Sequence, residues 1–191
     1  MNGETAERKK EARARAAERL DMLSDADWKR ISAGIAQGVL SHIWYREAKC
    51  VFCFVGAGRE TDTRMILQDA LAAGKTLCVP RCRRGGVMEA CRIGSLSDLR
   101  PGLFSIPEPD QNAPAVPREQ IDLILVPCLA ATPKGVRLGR GGGYYDRYLE
   151  GYHGHTLLLC PKALLFEDLP SDVWDRPAEH VLTEDGEAFQ G

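Results

Sequence analysis

Between Arg137 and Asp146 the chain reads Arg137-Leu138-Gly139-Arg140-Gly141-Gly142-Gly143-Tyr144-Tyr145-Asp146. No other stretch gathers so many residue types that can do chemistry in so few positions. Glycines let backbone N–H groups come close to an anion. Arg137 and Arg140 add planar, permanently charged guanidiniums that match phosphate oxygens. Asp146 supplies a carboxylate able to hold Mg2+. Upstream lies Ile121-Asp-Leu-Ile-Leu-Val126, apolar enough for a strand buried on both faces; downstream, residues 144–150 begin a helix. In an open α/β sheet this order puts a ligand outside the carboxyl end of the strand, so it predicts a nucleotide phosphate site. The stretch contains neither G-K-[ST] nor G-x-G-x-x-G and is therefore not one of the common phosphate motifs. On residues alone the plainer alternative, a flexible glycine turn beside two surface arginines, stays open.

Lys9 and Arg13 are four apart, so they share one helical face and can grip one anion together; a solvated basic face is the alternative. Cys50 and Cys53 form a C-x-x-C inside the apolar run Cys50-Val-Phe-Cys-Phe-Val55. On a strand, an offset of three points them to opposite faces, and no second pair completes a zinc set. They read as core thiols. His153 and His155 form an H-x-H between glycines, with no acidic or cysteine partner nearby in sequence, which reads as a surface loop.

Several elements must position these groups. Residues 5–22 are rich in Ala, Glu, Lys and Arg and predict a helix. Ser24 with Asp27 resembles a capping box, opening a second helix whose apolar face is Trp28, Ile31, Ile35, Val39 and Ile43. A strand over 50–55, a loop at Gly56-Ala-Gly58 and a helix over 61–73 stopped by Gly74 follow. Residues 76–79 predict a short strand ending at Pro80, then a basic turn over 81–86 and a returning strand over 87–93. Turns and loops are expected over 95–119. Ile121–Val126 is the expected central strand, and short strands are expected at 156–160 and 181–183.

Alternating strands and helices predict an α/β class fold. We expect a single three-layer, Rossmann-like domain over residues 1–191, its largely parallel sheet flanked by helices and the helices of residues 1–45 packed on it. The formal net charge of -2 argues against a dedicated nucleic-acid binder. No apolar run is long enough to cross a bilayer. Arg8, Arg13, Arg15 and Arg19 are interspersed with Glu4, Glu7, Glu11 and Glu18, unlike an acid-poor transit peptide. Seven cysteines, an odd count, favour reduced thiols in the cytoplasm.

The stretch Arg137–Arg147 closely resembles the signature of the 5-formyltetrahydrofolate cyclo-ligases, also called methenyltetrahydrofolate synthetases. The similarity continues in order along the chain. Lys9 and Arg13 match a K-x-x-x-R, and Glu60 with Thr63 a glutamate before a helix. Gly74-Lys75, Val79-Pro80, Ile106-Pro-Glu-Pro109, Leu169-Pro170 and Trp174-Asp175 match further landmarks. The resemblance implies ATP-dependent closure of 5-formyltetrahydrofolate to 5,10-methenyltetrahydrofolate, with release of ADP and phosphate. It implies ATP contacts at Lys9, Lys10, Arg13, Arg137, Leu138, Gly139, Arg140, Gly141, Gly142, Gly143, Tyr144 and Tyr145. Folate contacts are implied at Val55, Glu60, Arg140 and Tyr144, Mg2+ ligands at Asp146 and Asp175, and catalytic roles for Arg140 and Asp146.

We expect a cytoplasmic monomer acting on ATP and 5-formyltetrahydrofolate, with or without a polyglutamate tail that Arg81, Arg83 and Arg84 are charged to meet. Neither nucleic acid nor membrane is an expected partner. The chain departs from the family where Ala131-Thr132 replaces Phe-Asp, where Cys128 replaces a frequent Gly, where Gly142 replaces the Lys of some members, and at Cys160-Pro-Lys162. These departures leave two alternatives: a diverged paralogue using ATP on another formamide-like substrate, and a folate- or nucleotide-binding protein without turnover.

Overall fold

A computed structural model describes residues 3–102 and 106–188. Helices α1 (Gly3–Asp21), α2 (Asp25–Ser41) and α3 (Ile43–Glu47) come first, then strand β1 (Cys50–Cys53) and helix α4 (Arg64–Ala72). Strands β2 (Thr76–Arg83), β3 (Val87–Ile93), β4 (Leu99–Pro101), β5 (Pro107–Pro109), β6 (Leu123–Pro127), β7 (Ala130–Ala131) and β8 (Arg137–Leu138) follow. Helix α5 (Tyr144–Leu149) and strands β9 (His155–Leu159), β10 (His180–Thr183) and β11 (Gly186–Glu187) complete the described elements.

Among the described residues seven strands form one sheet in the order β11-β10-β9-β6-β1-β2-β3. The five inner strands pair in parallel and the two outer ones antiparallel. The most apolar strand, β6, lies at the centre of this order. After β1 the chain crosses to β2 on one side, and after β6 it crosses to β9 on the other. Loops leaving the neighbouring strands β1 and β6 therefore diverge, opening a crevice at the carboxyl edge.

Both faces of the sheet are covered, giving a three-layer α/β fold. Ile31, Ile35 and Val39 of α2 and Ile66, Leu67 and Ala70 of α4 pack on Val51, Leu77, Leu123, Leu125 and Leu157. Phe52, Ile124, Val126, Leu158 and Val181 face the other way, toward Leu149 and Leu164. Cys50 and Cys53 fall on opposite faces, as a strand offset of three requires. Ala12 and Ala16 let α1 lie close against Leu138, Phe166 and Leu169.

The Ser24–Asp27 capping box is present. Other boundaries move for physical reasons. Helix α2 stops at His42, whose extended backbone starts α3, so Ile43 leaves the apolar face and is 53% exposed. Strand β2 runs through Pro80 to Arg83: beyond Cys78 it no longer pairs with β1, and its partner is β3 alone, an edge position that tolerates proline. The expected loop at 95–119 contains the β4–β5 ribbon. The loop after β6 contains the β7–β8 ribbon, closed by Gly135 at φ 80°, where a Cβ would collide with the Ala178 carbonyl.

Candidate active site

The crevice is built from its two loops. After β1 the chain folds back tightly: a Cβ at Gly56 would strike the Thr61 carbonyl. Buried Thr63 fixes the turn, its Oγ1 donating to the Phe54 carbonyl (2.7 Å) and accepting from the Gly56 N–H (3.1 Å). Glu60 is thereby aimed into the crevice, with Oε2 accepting from the Ala57 N–H at 3.3 Å. Its Oε1 accepts from Arg140 Nε at 2.9 Å. The Glu60 side chain is 13% exposed and that of Arg140 60%, so the guanidinium can leave its partner for an arriving anion with little desolvation.

The glycine loop follows β8. Gly141 at φ 93° and Gly143 at φ 64° adopt left-handed conformations that side chains disfavour, and Gly143 serves as the N-cap of α5. Arg13 of α1 donates from Nε to the Gly139 carbonyl at 2.9 Å. Arg147 donates to the Gly142 carbonyl and, at 2.9 Å, to the Gly86 carbonyl, tying the loop to the β2–β3 hairpin. Tyr144 donates to the Arg83 carbonyl at 3.1 Å, its ring lying against Gly142. Helix α5 has six residues, so its dipole is weaker than a long helix would supply; the guanidiniums provide most of the positive field.

Each carboxylate expected to hold Mg2+ is occupied on one oxygen. Asp146 Oδ1 accepts from Arg137 Nη2 at 2.7 Å and from the Arg176 N–H at 3.3 Å. Asp175 Oδ2 accepts from Lys9 Nζ at 2.6 Å and from the Asp172 N–H at 2.8 Å, while Lys9 also donates to Asp172 Oδ2 at 2.9 Å. Burial, the largest influence on Lys9, pulls its pKa down. The hydrogen bonds to Asp172 and Asp175 and their charges outweigh it and hold the ammonium above the usual lysine range. Among the described residues the second oxygens of Asp146 and Asp175 have no hydrogen-bond partner, so the pair retains hard oxygen donors that fit a divalent cation.

The structure thus brings together Lys9, Arg13, Arg137, Arg140, the loop glycines, Tyr144, Glu60, Asp146 and, through Arg176, the Asp175 segment. Lys10 is not among them: it points outward, paired with Glu7 at 3.0 Å. Leu138 and Val55 are buried packing residues. Tyr145 lies beneath the loop with its hydroxyl buried and unpartnered, and burial raises its pKa, keeping it a phenol. Arg81 bonds Glu89 and the carbonyls of Asp110, Gln111 and Ala113, so it braces the chain instead of waiting for an anionic tail. Sequence reasoning missed Asp172 and Arg147. Their signals were the spacing of Asp172 from Asp175 and the placement of Arg147 one helical turn after Gly143.

At the opposite edge of the sheet His42, His180 and Glu187 bring donor atoms together. His42 Nδ1 accepts the Trp44 N–H at 3.2 Å, so Nε2 carries the proton and donates to Glu187 at 3.0 Å. This cluster is satisfied by hydrogen bonds without a metal. His153 and His155 are both exposed, as expected of the H-x-H, and His155 additionally stacks on Trp44 at 4.1 Å.

A mostly parallel sheet covered on both faces, with an arginine-bearing glycine loop meeting the loop after β1, defines a three-layer α/β protein. The chain belongs to the 5-formyltetrahydrofolate cyclo-ligase family, a family of ligases, whose model matches residues 5–184. It is 31% identical to the Mus musculus 5-formyltetrahydrofolate cyclo-ligase over 193 residues, covering 94% of this chain and 95% of the mouse protein. The Escherichia coli K12 5-formyltetrahydrofolate cyclo-ligase is 30% identical over 148 residues, 71% of this chain and 78% of its own. The solution structure of Aquifex aeolicus 5,10-methenyltetrahydrofolate synthetase superposes with a TM-score of 0.82 at 30% identity, covering 94% and 91% of the two chains. A Mycoplasma pneumoniae 5,10-methenyltetrahydrofolate synthetase shares the fold, with a TM-score of 0.74 at 18% identity over 92% and 98%.

Proposed function

We propose that this chain closes 5-formyltetrahydrofolate to 5,10-methenyltetrahydrofolate at the expense of ATP, using the crevice between the loops after β1 and β8. The observation that carries this reading is the Arg140–Glu60 ion pair at 2.9 Å, which joins residues 80 positions apart. One partner suits phosphate oxygens and the other suits the N–H edge of a pterin. Two substrates entering together would separate the pair and engage each half.

A formamide oxygen is a poor leaving group, so closure requires its activation. The γ-phosphoryl group passes to that oxygen, giving an iminium phosphate and ADP; folate N10 attacks the activated carbon and gives up its proton to the phosphate, which departs with the former formyl oxygen. No protein nucleophile is needed. Catalysis is orientation plus neutralisation of charge on the transferring oxygens. In this reading Lys9, Arg13 and Arg137 hold the phosphate chain, Arg140 meets the moving phosphoryl group, and Glu60 orients the pterin beside Tyr144. Asp146 and Asp175 would hold Mg2+ through their remaining oxygens, where it would neutralise phosphate charge. Residues 1–191 act as one domain in this reading, because α1 contributes to the same crevice as β8. We place the protein in the cytoplasm, in keeping with its free thiols, and propose that it acts as a monomer; among the described residues no helix is long and apolar enough to cross a membrane.

The Ala131-Thr132 departure is buried in the β7–β8 ribbon, where the Phe166 N–H donates to the Ala131 carbonyl. Both side chains are buried, so neither is offered to a ligand at the surface, which favours the folate reaction over a new substrate. The test is growth of methenyl-folate absorbance with purified protein, ATP, Mg2+ and 5-formyltetrahydrofolate. Growth without ATP, or ATP binding with no growth, would overturn the proposal.

A further inference from the structure

Residues 172–175 form a turn with the wrong chemistry for a solvent-facing apex. The Asp175 N–H donates to the Asp172 carbonyl at 3.0 Å, which places Val173 and Trp174 at the tip, 88% and 48% exposed. Turn tips usually carry Gly, Asn, Asp or Ser, whose backbone or side chain suits the bend. The other tryptophans have partners: Arg59 lies over Trp28 and His155 stacks on Trp44. Among the described residues no ring or cation covers Trp174. The turn is nevertheless firmly held at its base, where Lys9 Nζ bonds both Asp172 and Asp175 and the next residue, Arg176, donates its N–H to Asp146. One helical turn beyond Lys9, Arg13 reaches Gly139. A half-exposed indole is therefore carried on a turn anchored beside the loop assigned to phosphates.

We propose that Trp174 is the stacking platform for the nucleobase of bound ATP, with Val173 extending its apolar surface; this rests on the phosphate assignment above. A base carries no charge, so the ion pairing by which Lys9, Arg13 and Arg137 suit phosphates gives it no matching grip, and Lys9 and Arg137 already bond Asp172, Asp175 and Asp146. An aromatic ring at the edge of that cluster can, and stacking tolerates any base because every base offers a π-face. The phosphates are thus gripped by charge and the base by the indole.

Two measurements decide the matter. Titrating wild type with ATP should change tryptophan fluorescence, and Trp174→Phe should remove most of the change although Trp28 and Trp44 remain. Trp174→Ala should raise the ATP KM about tenfold, the size of one lost base–aromatic stack. Trp174→Phe should recover most of that loss. Inhibition by tripolyphosphate, which has no base, should be unchanged, as should the folate KM. An unaltered ATP KM in Trp174→Ala would overturn the inference. So would an equal loss of tripolyphosphate binding, which would mean that the turn acts only through the Lys9 clamp. If wild type binds ATP and shows the fluorescence change without cyclising the folate, the proposed reaction fails and the base platform stands.

Discussion

Arg140 is more than half exposed and bound to a single carboxylate, so an arriving anion can take it at little cost. Charge that builds on the phosphoryl oxygens in the transition state can be met by its two-pronged donor set. Arg140→Ala should therefore lower kcat by on the order of a hundredfold, the usual effect of losing one preorganised donor, with a much smaller change in ATP affinity by calorimetry. Arg140→Lys should restore only part, because a point charge cannot reproduce the fork. Preserved kcat with collapsed affinity would make Arg140 a binding residue. Asp146 differs, because its Oδ1 anchors the nearly buried Arg137. Asp146→Asn should therefore affect more than a metal site, because it also loosens this contact. The substitution should also cost roughly 1.5–3 kcal/mol in urea unfolding, as for a hydrogen bond to a charged group; an unchanged midpoint would show that the pair contributes nothing. For Lys9 the sign follows from its raised pKa. The protonated clamp stabilises the fold at every pH below the ordinary lysine value, and that stability is lost only as pH rises through the higher folded value. Between pH 6 and about 9 Lys9 should add no slope to stability.

At the scale of elements, α1 and the loop after β1 are the two parts whose placement is separable from the sheet. Helix α1 docks through small side chains, Ala12 and Ala16, which let it approach Leu138, Phe166 and Leu169. Ala16→Glu would force a carboxylate into that contact. The ATP KM should then rise far more than the folate KM while the far-ultraviolet dichroism of the remaining elements persists; equal losses would indicate general unfolding. Gly56→Ala addresses the other loop, since its Cβ would strike the Thr61 carbonyl and displace Glu60. It should raise the folate KM and cost roughly 1–3 kcal/mol, with ATP binding measured by calorimetry little changed.

Across the whole molecule, the sheet carries apolar side chains on both faces, and its thiols are part of that core. Cys50, Cys53, Cys78, Cys91 and Cys160 are buried. Burial and the nearby Glu108 push the Cys82 thiol up to about 11. A thiol reagent at pH 7.5 should therefore modify only a minority of the seven cysteines in native protein and all of them in denaturant. Rapid native reaction of every thiol would contradict the packing. The central strand sets the stability: Leu125 is fully buried in β6, and Leu125→Ala should cost about 2–5 kcal/mol in urea unfolding.

The sequence alone determined the features that depend on neighbours in the chain. The apolar run of β6 demanded a central strand, the Ser24–Asp27 spacing opened α2, and the glycines with Arg137 and Arg140 announced an anion site. Each is encoded within a few residues, where periodicity and side-chain type act directly. Tertiary structure decided the rest. Glu60 meets Arg140 only because β1 and β6 lie side by side with their crossovers diverging. Lys9 is clamped by acids 163 and 166 positions away, and two-residue strands such as β7 and β8 carry no periodicity of their own. Contacts at such separations are fixed by strand order and packing, which no local pattern specifies, and those contacts assemble the crevice.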